Sequence, residues 1–369
     1  MDLSFLLLTL LLTGIGLIML FSASFPSAYY ESGDAAYYVK RQAVFAAMGI
    51  VAMLVMGKIN YQRLRGTAKM LLGFSIFLLI LVIIPGVGIT VNNATRWLGI
   101  EGVFTFQPSE IAKLGVIIYF ADSISKKKEK MEELKAGLLP YLPILGCIAI
   151  LMMLEPHLSG TILIVGIGIM MMVVGGMKRW LVALGFGGVG AAAFAYVKLV
   201  EAGIISYGAS RILMWKDPWL DYTWTGYQMA QSLTTIGSGG LLGLGFGKGR
   251  QKFLFLPEEH NDFIFAIVCE ELGLIGACLI ILVFILLILR GFWIALHARD
   301  RFGALLVVGC MTQISLQTFL NMAVVTGLLP ATGISLPFFS YGGTALALQL
   351  FEMGIVLSVS RQIPAPRNG

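Results

Sequence analysis

Apolar residues fill this chain in long runs, and the runs are separated by short breaks rich in charge, Gly or Pro. A run of roughly 20 residues has the length an α-helix needs to cross a hydrocarbon core. The pattern predicts ten such helices, over residues 3–23, 42–57, 69–86, 107–123, 138–154, 160–177, 180–201, 262–290, 302–328 and 339–360. It therefore predicts an all-α, polytopic membrane protein with one transmembrane domain over 1–369. Residues 202–261 break the rhythm as a long loop between helices seven and eight. Trp215, Trp219, Tyr222, Trp224 and Tyr227 suit a membrane interface, and residues 228–242 mix polar and apolar positions as an interfacial helix does.

Composition and charge sharpen this picture. A chain that is 58% hydrophobic and 12% charged, with mean hydropathy +0.87, lies outside the soluble globular range. Lys and Arg in short loops mark the cytoplasmic side. With both termini cytoplasmic, the inner loops and tail hold sixteen such residues (among them Lys58, Arg63, Lys126–Lys128, Arg179, Arg299 and Arg367), and the short outer loops hold Lys40, Arg41 and Arg96. The 202–261 loop is then extracellular. This bias accounts for the net charge of +6, so no nucleic-acid partner is implied; the segment SKKKEKMEELK reads as a solvated loop touching anionic lipid headgroups. The first helix starts without a basic flank, which favours an uncleaved anchor over a signal peptide. Cys147, Cys269, Cys278 and Cys310 fall in predicted helices without metal-ligand spacing, so they read as buried structural thiols.

Ionisable groups inside a membrane are costly, and each is a candidate for function. Glu110 and Lys113 lie at i and i+3, on one helical face; a pair that holds helices in register and a pair that serves a site are equal readings. Lys198 and Glu201 suit headgroup contact, and Glu352 has no local partner. Gln313, Gln317 and Asn321 form a polar stripe, which predicts interhelical hydrogen bonds or a wet cavity. The run GSGGLLGLGFGKGRQK offers backbone N–H groups and the cations Lys248, Arg250 and Lys252 to an anion such as a lipid-linked pyrophosphate, or forms a flexible solubilised loop. In FLPEEHNDFIFAIVCEELGLIG (255–276), Asn261 or Asp262 stands where a helix cap is expected, while partial burial there would raise the basicity of Asp262. Glu270 and Glu271 lie about 12–14 Å further along the helix, and read as interior anchors or cavity walls.

At this point the motifs QPSEIAK (107–113), GYQMAQSL (226–233), FLPEEHNDFIFAIVCEELG (255–273) and TGLLPATGISLPFFSYGG (326–343) resemble the SEDS family of shape, elongation, division and sporulation proteins, which includes RodA, FtsW and SpoVE. The segment GRQKFLFLPEEHNDF is closer to its division and sporulation branch. The resemblance implies a peptidoglycan glycosyltransferase that polymerises lipid II at the outer face of the bacterial cytoplasmic membrane beside a class B penicillin-binding protein, releasing undecaprenyl pyrophosphate. It places the essential aspartate on Asp262, the intramembrane pair on Glu110 and Lys113, and a basic-aromatic pair on Arg96 and Trp97. NNATRW departs from the family's NGARRW, and in EPHLSGT (155–161) His157 replaces an acid, so no family role is carried to that loop.

The implied chemistry is a single inverting displacement, with Asp262 as general base for a sugar hydroxyl. Arg96, Lys248, Arg250 and Lys252, alone or with a divalent cation (Mg or Mn), are the candidates to stabilise the departing pyrophosphate; no protein metal cage is legible. Two other classes share the resemblance: a lipid II flippase, which the buried pair and polar stripe would suit, and a non-enzymatic scaffold that activates a transpeptidase.

Overall fold

The computed structural model describes residues 1–91, 94–100, 104–155, 157–178, 214–220 and 226–363, with scattered positions from 180 to 202. Helices α1 (Leu3–Ser32), α2 (Tyr37–Lys58) and α3 (Leu64–Ile83) lead to three short strands, β1 (Ile89–Val91), β2 (Ala94–Ile100) and β3 (Phe104–Phe106). There follow α4 (Pro108–Lys127), α5 (Leu142–Leu154), α6 (Leu158–Val174), α7 (Tyr227–Gly239), α8 (Ile264–Leu296), α9 (Arg301–Val325) and α10 (Gly343–Arg361). Among the described residues, seven helical stretches are long and apolar enough to cross a membrane, and α6 is apolar but shorter. The span expected at 180–201 lies mostly outside the described residues, as do Tyr222, Trp224 and Glu201.

Local chemistry sets several of these boundaries. Asp2 starts α1 by accepting the Phe5 N–H at 2.9 Å, Pro108 opens α4 where no intrahelical N–H is needed, and Asp300 caps α9 through Gly303 N–H. Helix α4 carries Glu110, Lys113, Asp122, Lys126 and Lys127, yet most of its length is buried. Glu110, Lys113 and Asp122 are buried in protein, whereas Lys126 is exposed at the end of the helix. The core joins α1, α4, α8, α9 and α10, with α2 packed along α10 and α3 along α4.

The helical membrane fold is as expected, with one small addition: β1, β2 and β3 pair antiparallel in the order β1-β2-β3, and β-branched and aromatic residues at 89–106 suit a pleated surface. One expectation is corrected: not all four cysteines are buried. Cys147 and Cys278 are exposed on the bundle surface, whereas Cys269 and Cys310 are buried, and all four thiols are free.

Chain ends and loops gather on one face. Arg290 donates to Asp2 at 2.7 Å through Nη2, Asp2 N–H reaches Ser360 Oγ at 3.0 Å, and Asp300 receives the Tyr61 hydroxyl, Gln62 Nε2 and Arg65 Nη2. The strands and Asp262 lie at the other end of the bundle.

Helix α8 is broken at Gly273, whose φ of 67° and ψ of −173° suit glycine alone. A loop mends the break. Leu244 and Gly245 donate their N–H groups to the carbonyls of Glu270 and Glu271 (2.9 and 3.0 Å), while Leu274 and Ile275 donate to Gly240 and Leu241 (2.9 and 3.2 Å). The carboxylates complete the splice. Glu270 accepts from the N–H groups of Arg250 and Gln251, and Glu271 from Gly247 N–H, Ser22 Oγ and Lys252 Nζ. These bonds pair backbone groups that the break would otherwise leave open, as burial demands.

A Cβ at position 273 would collide with Gly243 N. Gly273→Ala is therefore expected to lower stability in detergent by at least about 2 kcal/mol. Gly237→Ala, in α7 with open space around it, is expected to be neutral or slightly stabilising. Thermal unfolding of the two variants checks the contrast.

Candidate active site

One cavity of about 1060 Å³ opens at the end of the bundle that carries the strands. Asp262, Arg96, Trp97, Glu110 and Lys113 all line it. The chain brings them from three different elements. Arg96 and Trp97 stand on β2, Glu110 and Lys113 on the first turns of α4, and Asp262 just before α8.

Asp262 does not cap its helix, because the N-cap position of α8 falls on Phe263. The capping alternative is thereby removed. Asn321 instead holds the backbone, donating through Nδ2 to the carbonyls of Asp262 (2.7 Å) and Ile334 (2.6 Å). Asn261 is fixed on both sides: its amide donates to Glu258 at 2.6 Å, and its carbonyl accepts from Ser340 Oγ at 2.7 Å. His260 stacks on Tyr38 with ring centroids 4.4 Å apart, and its carbonyl accepts Tyr341 N–H. Gly333, at φ +73°, lets the 331–336 segment close over the carboxylate; a Cβ there would sit 3.2 Å from Asp262 Oδ2.

The polar stripe on α9 supplies much of this support. Gln317 donates to the carbonyl and hydroxyl of Ser335, Asn321 acts as described, and Gln313 donates to Glu352 at 2.9 Å. Glu352 thus gains a partner across α9 and α10. On α4, Lys113 Nζ lies 2.8 Å from Glu110 Oε1, with both side chains nearly inaccessible. The pair is a buried ion pair that also forms part of the cavity wall.

Electrostatics differ sharply around the cavity mouth. Burial raises the Asp262 carboxyl to about 6, and Glu258 adds to the rise, while Arg96 and His260 oppose it. Burial likewise raises Glu155 to about 8 against the pull of Arg96. Arg96 Nε donates to the Glu155 carbonyl at 3.3 Å. His157 is pushed down to about 3 by burial, then by Arg96 and Lys113, so its imidazole is neutral near pH 7. A carboxylate that is ionised at neutral pH yet more basic than usual is suited to accept a proton.

The glycine-rich cations are not brought to this cavity. Lys248, Arg250 and Lys252 are not among the described residues that line it. Lys252 is buried in its 2.7 Å pair with Glu271, while Lys248 and Arg250 are exposed on the loop. Glu270 and Glu271, expected as anchors or cavity walls, serve as anchors of that loop. Conversely, Arg41, Gln107, His157, Glu258 and Tyr341 line the cavity without having been singled out as site residues. Arg41 was masked by its place: it reads as a loop charge, but α2 begins at Tyr37. Among the described residues no three His, Cys, Asp or Glu side chains converge as metal ligands.

A family model described as cell cycle protein, covering FtsW, RodA and SpoVE, matches residues 2–364. The chain belongs to the FtsW/RodA/SpoVE family. Within that family it is 42% identical to stage V sporulation protein E of Bacillus subtilis, over 98% of this chain and 97% of that one. It is also 42% identical to a probable peptidoglycan glycosyltransferase FtsW of Geobacter sulfurreducens, over 98% and 95%. Among solved structures it resembles a chain from work on structural coordination of polymerization and crosslinking by a peptidoglycan synthase complex, with TM-score 0.79, 28% identity and coverage of 98% and 97%. It also resembles the rod shape determining protein RodA of Thermus thermophilus, with TM-score 0.70, 26% identity and coverage of 99% and 98%. With its apolar spans, this family member is a multi-pass membrane protein.

Removing one partner of the buried α4 pair leaves the other charge uncompensated. Lys113→Ala is expected to cost about 3–5 kcal/mol of stability, and adding Glu110→Ala should recover part of that loss. A double-mutant cycle by thermal unfolding in detergent measures it.

Proposed function

We propose that the chain is a peptidoglycan glycosyltransferase that polymerises lipid II, with Asp262 as general base. The observation that carries this reading is the position of Asp262: a carboxylate of raised basicity on a polar cavity wall, beside Arg96 and held by Asn321. The relatives named as peptidoglycan glycosyltransferases support it at about 40% identity over nearly the whole chain.

In the proposed step, the 4-hydroxyl of one lipid-linked saccharide attacks the anomeric carbon of another. Its proton passes to the Asp262 carboxylate as the new C–O bond forms. The bond from that carbon to the phosphate oxygen breaks on the opposite face, and its electron pair leaves with undecaprenyl pyrophosphate. One base and one displacement invert the α-linked donor to a β-linked product. Arg96 stabilises the charge that develops on the pyrophosphate, Trp97 offers a flat apolar surface to a sugar, and the Lys113–Glu110 pair fixes the cavity floor.

Both termini then face the cytoplasm, the cavity opens outward, and the chain acts as one transmembrane domain with residues 202–261 on the outer side. A class B penicillin-binding protein is the proposed partner, since the growing glycan must be crosslinked close to where it forms. Support for a partner comes from the solved relative that belongs to a peptidoglycan synthase complex.

Polymerisation of labelled lipid II by the purified chain with its transpeptidase tests the reading. Asp262→Asn is expected to lower the rate by about 10²–10⁴-fold while leaving the unfolding temperature near that of the parent. Unchanged polymer in this variant would remove the general base, and lipid II transfer across proteoliposomes that survives Asp262→Asn but fails in Glu110→Gln would point to transport.

A further inference from the structure

A second, smaller groove of about 440 Å³ lies away from the active-site cavity, lined by Phe25, Pro26, Tyr29, Tyr30, Phe253 and Leu254. It is apolar, and it joins the end of α1 to the glycine-rich loop. Its depth can be read from the splice at Gly273. Ser22 of α1 bonds to Glu271, just before the break. From Leu3 to Ser22 the helix rises about 30 Å, the thickness of a hydrocarbon core, so residues 25–30 stand at the boundary between acyl chains and headgroups.

The surroundings agree with that depth. Beyond the break, α8 turns Leu274, Ile275 and Leu279 outward, and the loop continues this apolar surface with exposed Leu241 and Leu242. Tyr29 and Tyr30 are exposed at the α1 end, as interfacial tyrosines are. Leu254 adopts φ 64°, a costly conformation for a branched side chain, and it sets that side chain in the groove wall. Arg250 lies one turn away, its carbonyl accepting Phe253 N–H at 3.2 Å.

Charge selects the occupant. Lys248 and Arg250 are exposed, whereas the third cation of the loop, Lys252, is spent on Glu271. Residues 240–256 contain no acidic side chain, and Glu31, which follows the α1 end of the groove, receives the Tyr38 hydroxyl. The geometry points to a site for an anionic phospholipid of the outer leaflet, with an acyl chain in the groove and its phosphate-bearing headgroup against Arg250 and Lys248.

The test uses the full chain in nanodiscs, with Phe253→Trp or Tyr30→Trp as reporter and the parent signal subtracted. The acyl chains of either phosphatidylglycerol or phosphatidylcholine are brominated to quench a neighbouring indole. Half-quenching is expected at a mole fraction at least about threefold lower for phosphatidylglycerol, and 0.5 M salt should shrink the preference as screening predicts. Adding Lys248→Glu and Arg250→Glu should abolish it. Equal quenching by both lipids in the charged parent would overturn the headgroup assignment. Absence of quenching by either lipid, at both reporter positions, would show that the groove does not face lipid at all.

Discussion

Inside an apolar bundle a polar group must find a partner in the protein, and the architecture of this chain follows from that constraint. Helix α4 carries too many charges to face lipid, so it is wrapped by its neighbours, with Lys113 and Glu110 neutralising each other. The amides of α9 bind carbonyls, a hydroxyl and a carboxylate on other segments rather than water alone. Arg96, Glu110, Lys113, Asp262 and Gln317 converge on one cavity, whose wall also carries apolar residues. Asp262 sits at its wall because Asn321 and Ser340 hold the backbone there, and its carboxylate is left without a capping duty.

The same constraint explains the glycine-rich loop. Breaking α8 at Gly273 frees N–H and C=O groups at a depth where exposure would be costly, and the loop fits only because its glycines let backbone approach backbone. Glu270 and Glu271 then bind loop N–H groups, and Lys252 closes the network against Ser22 of α1. This ties the segment that leads into Asp262 to the first helix. Glu270 and Glu271 accept from the N–H groups of the loop, which separates their anchoring task from the role proposed for Asp262.

Much of this was legible in the sequence, and the rest failed for identifiable reasons. Spanning helices follow from apolar run length, and the described ones fall where the runs are. The motif residues Arg96, Trp97, Glu110, Lys113 and Asp262 meet at one cavity. The sheet escaped because β1 and β3 are only three residues long, too short for a periodic signal. Lys252 looked like an anion ligand because its partner, Glu271, lies 19 residues on and is met only through the fold. Asn261 and Asp262 carry a capping signature, but tertiary bonds from Ser340 and Asn321 override that local preference. Arg41 reads as a loop charge and Glu258 carries no sequence signal of its own, and only the packing of α2 and the 257–262 turn brings both to the cavity.

The central claim is that Asp262 acts as a base whose affinity for protons is set by burial in this cavity. A raised pKa means that the ionised, active form is lost as pH falls through about 6, where an ordinary aspartate would remain ionised to about 4. The most direct measurement is the pH dependence of the initial rate of lipid II polymerisation at saturating substrate, between pH 4.5 and 8. The account predicts a plateau above about 7 and a roughly tenfold fall per unit below 6. A rate that stays flat to pH 4.5 would contradict it.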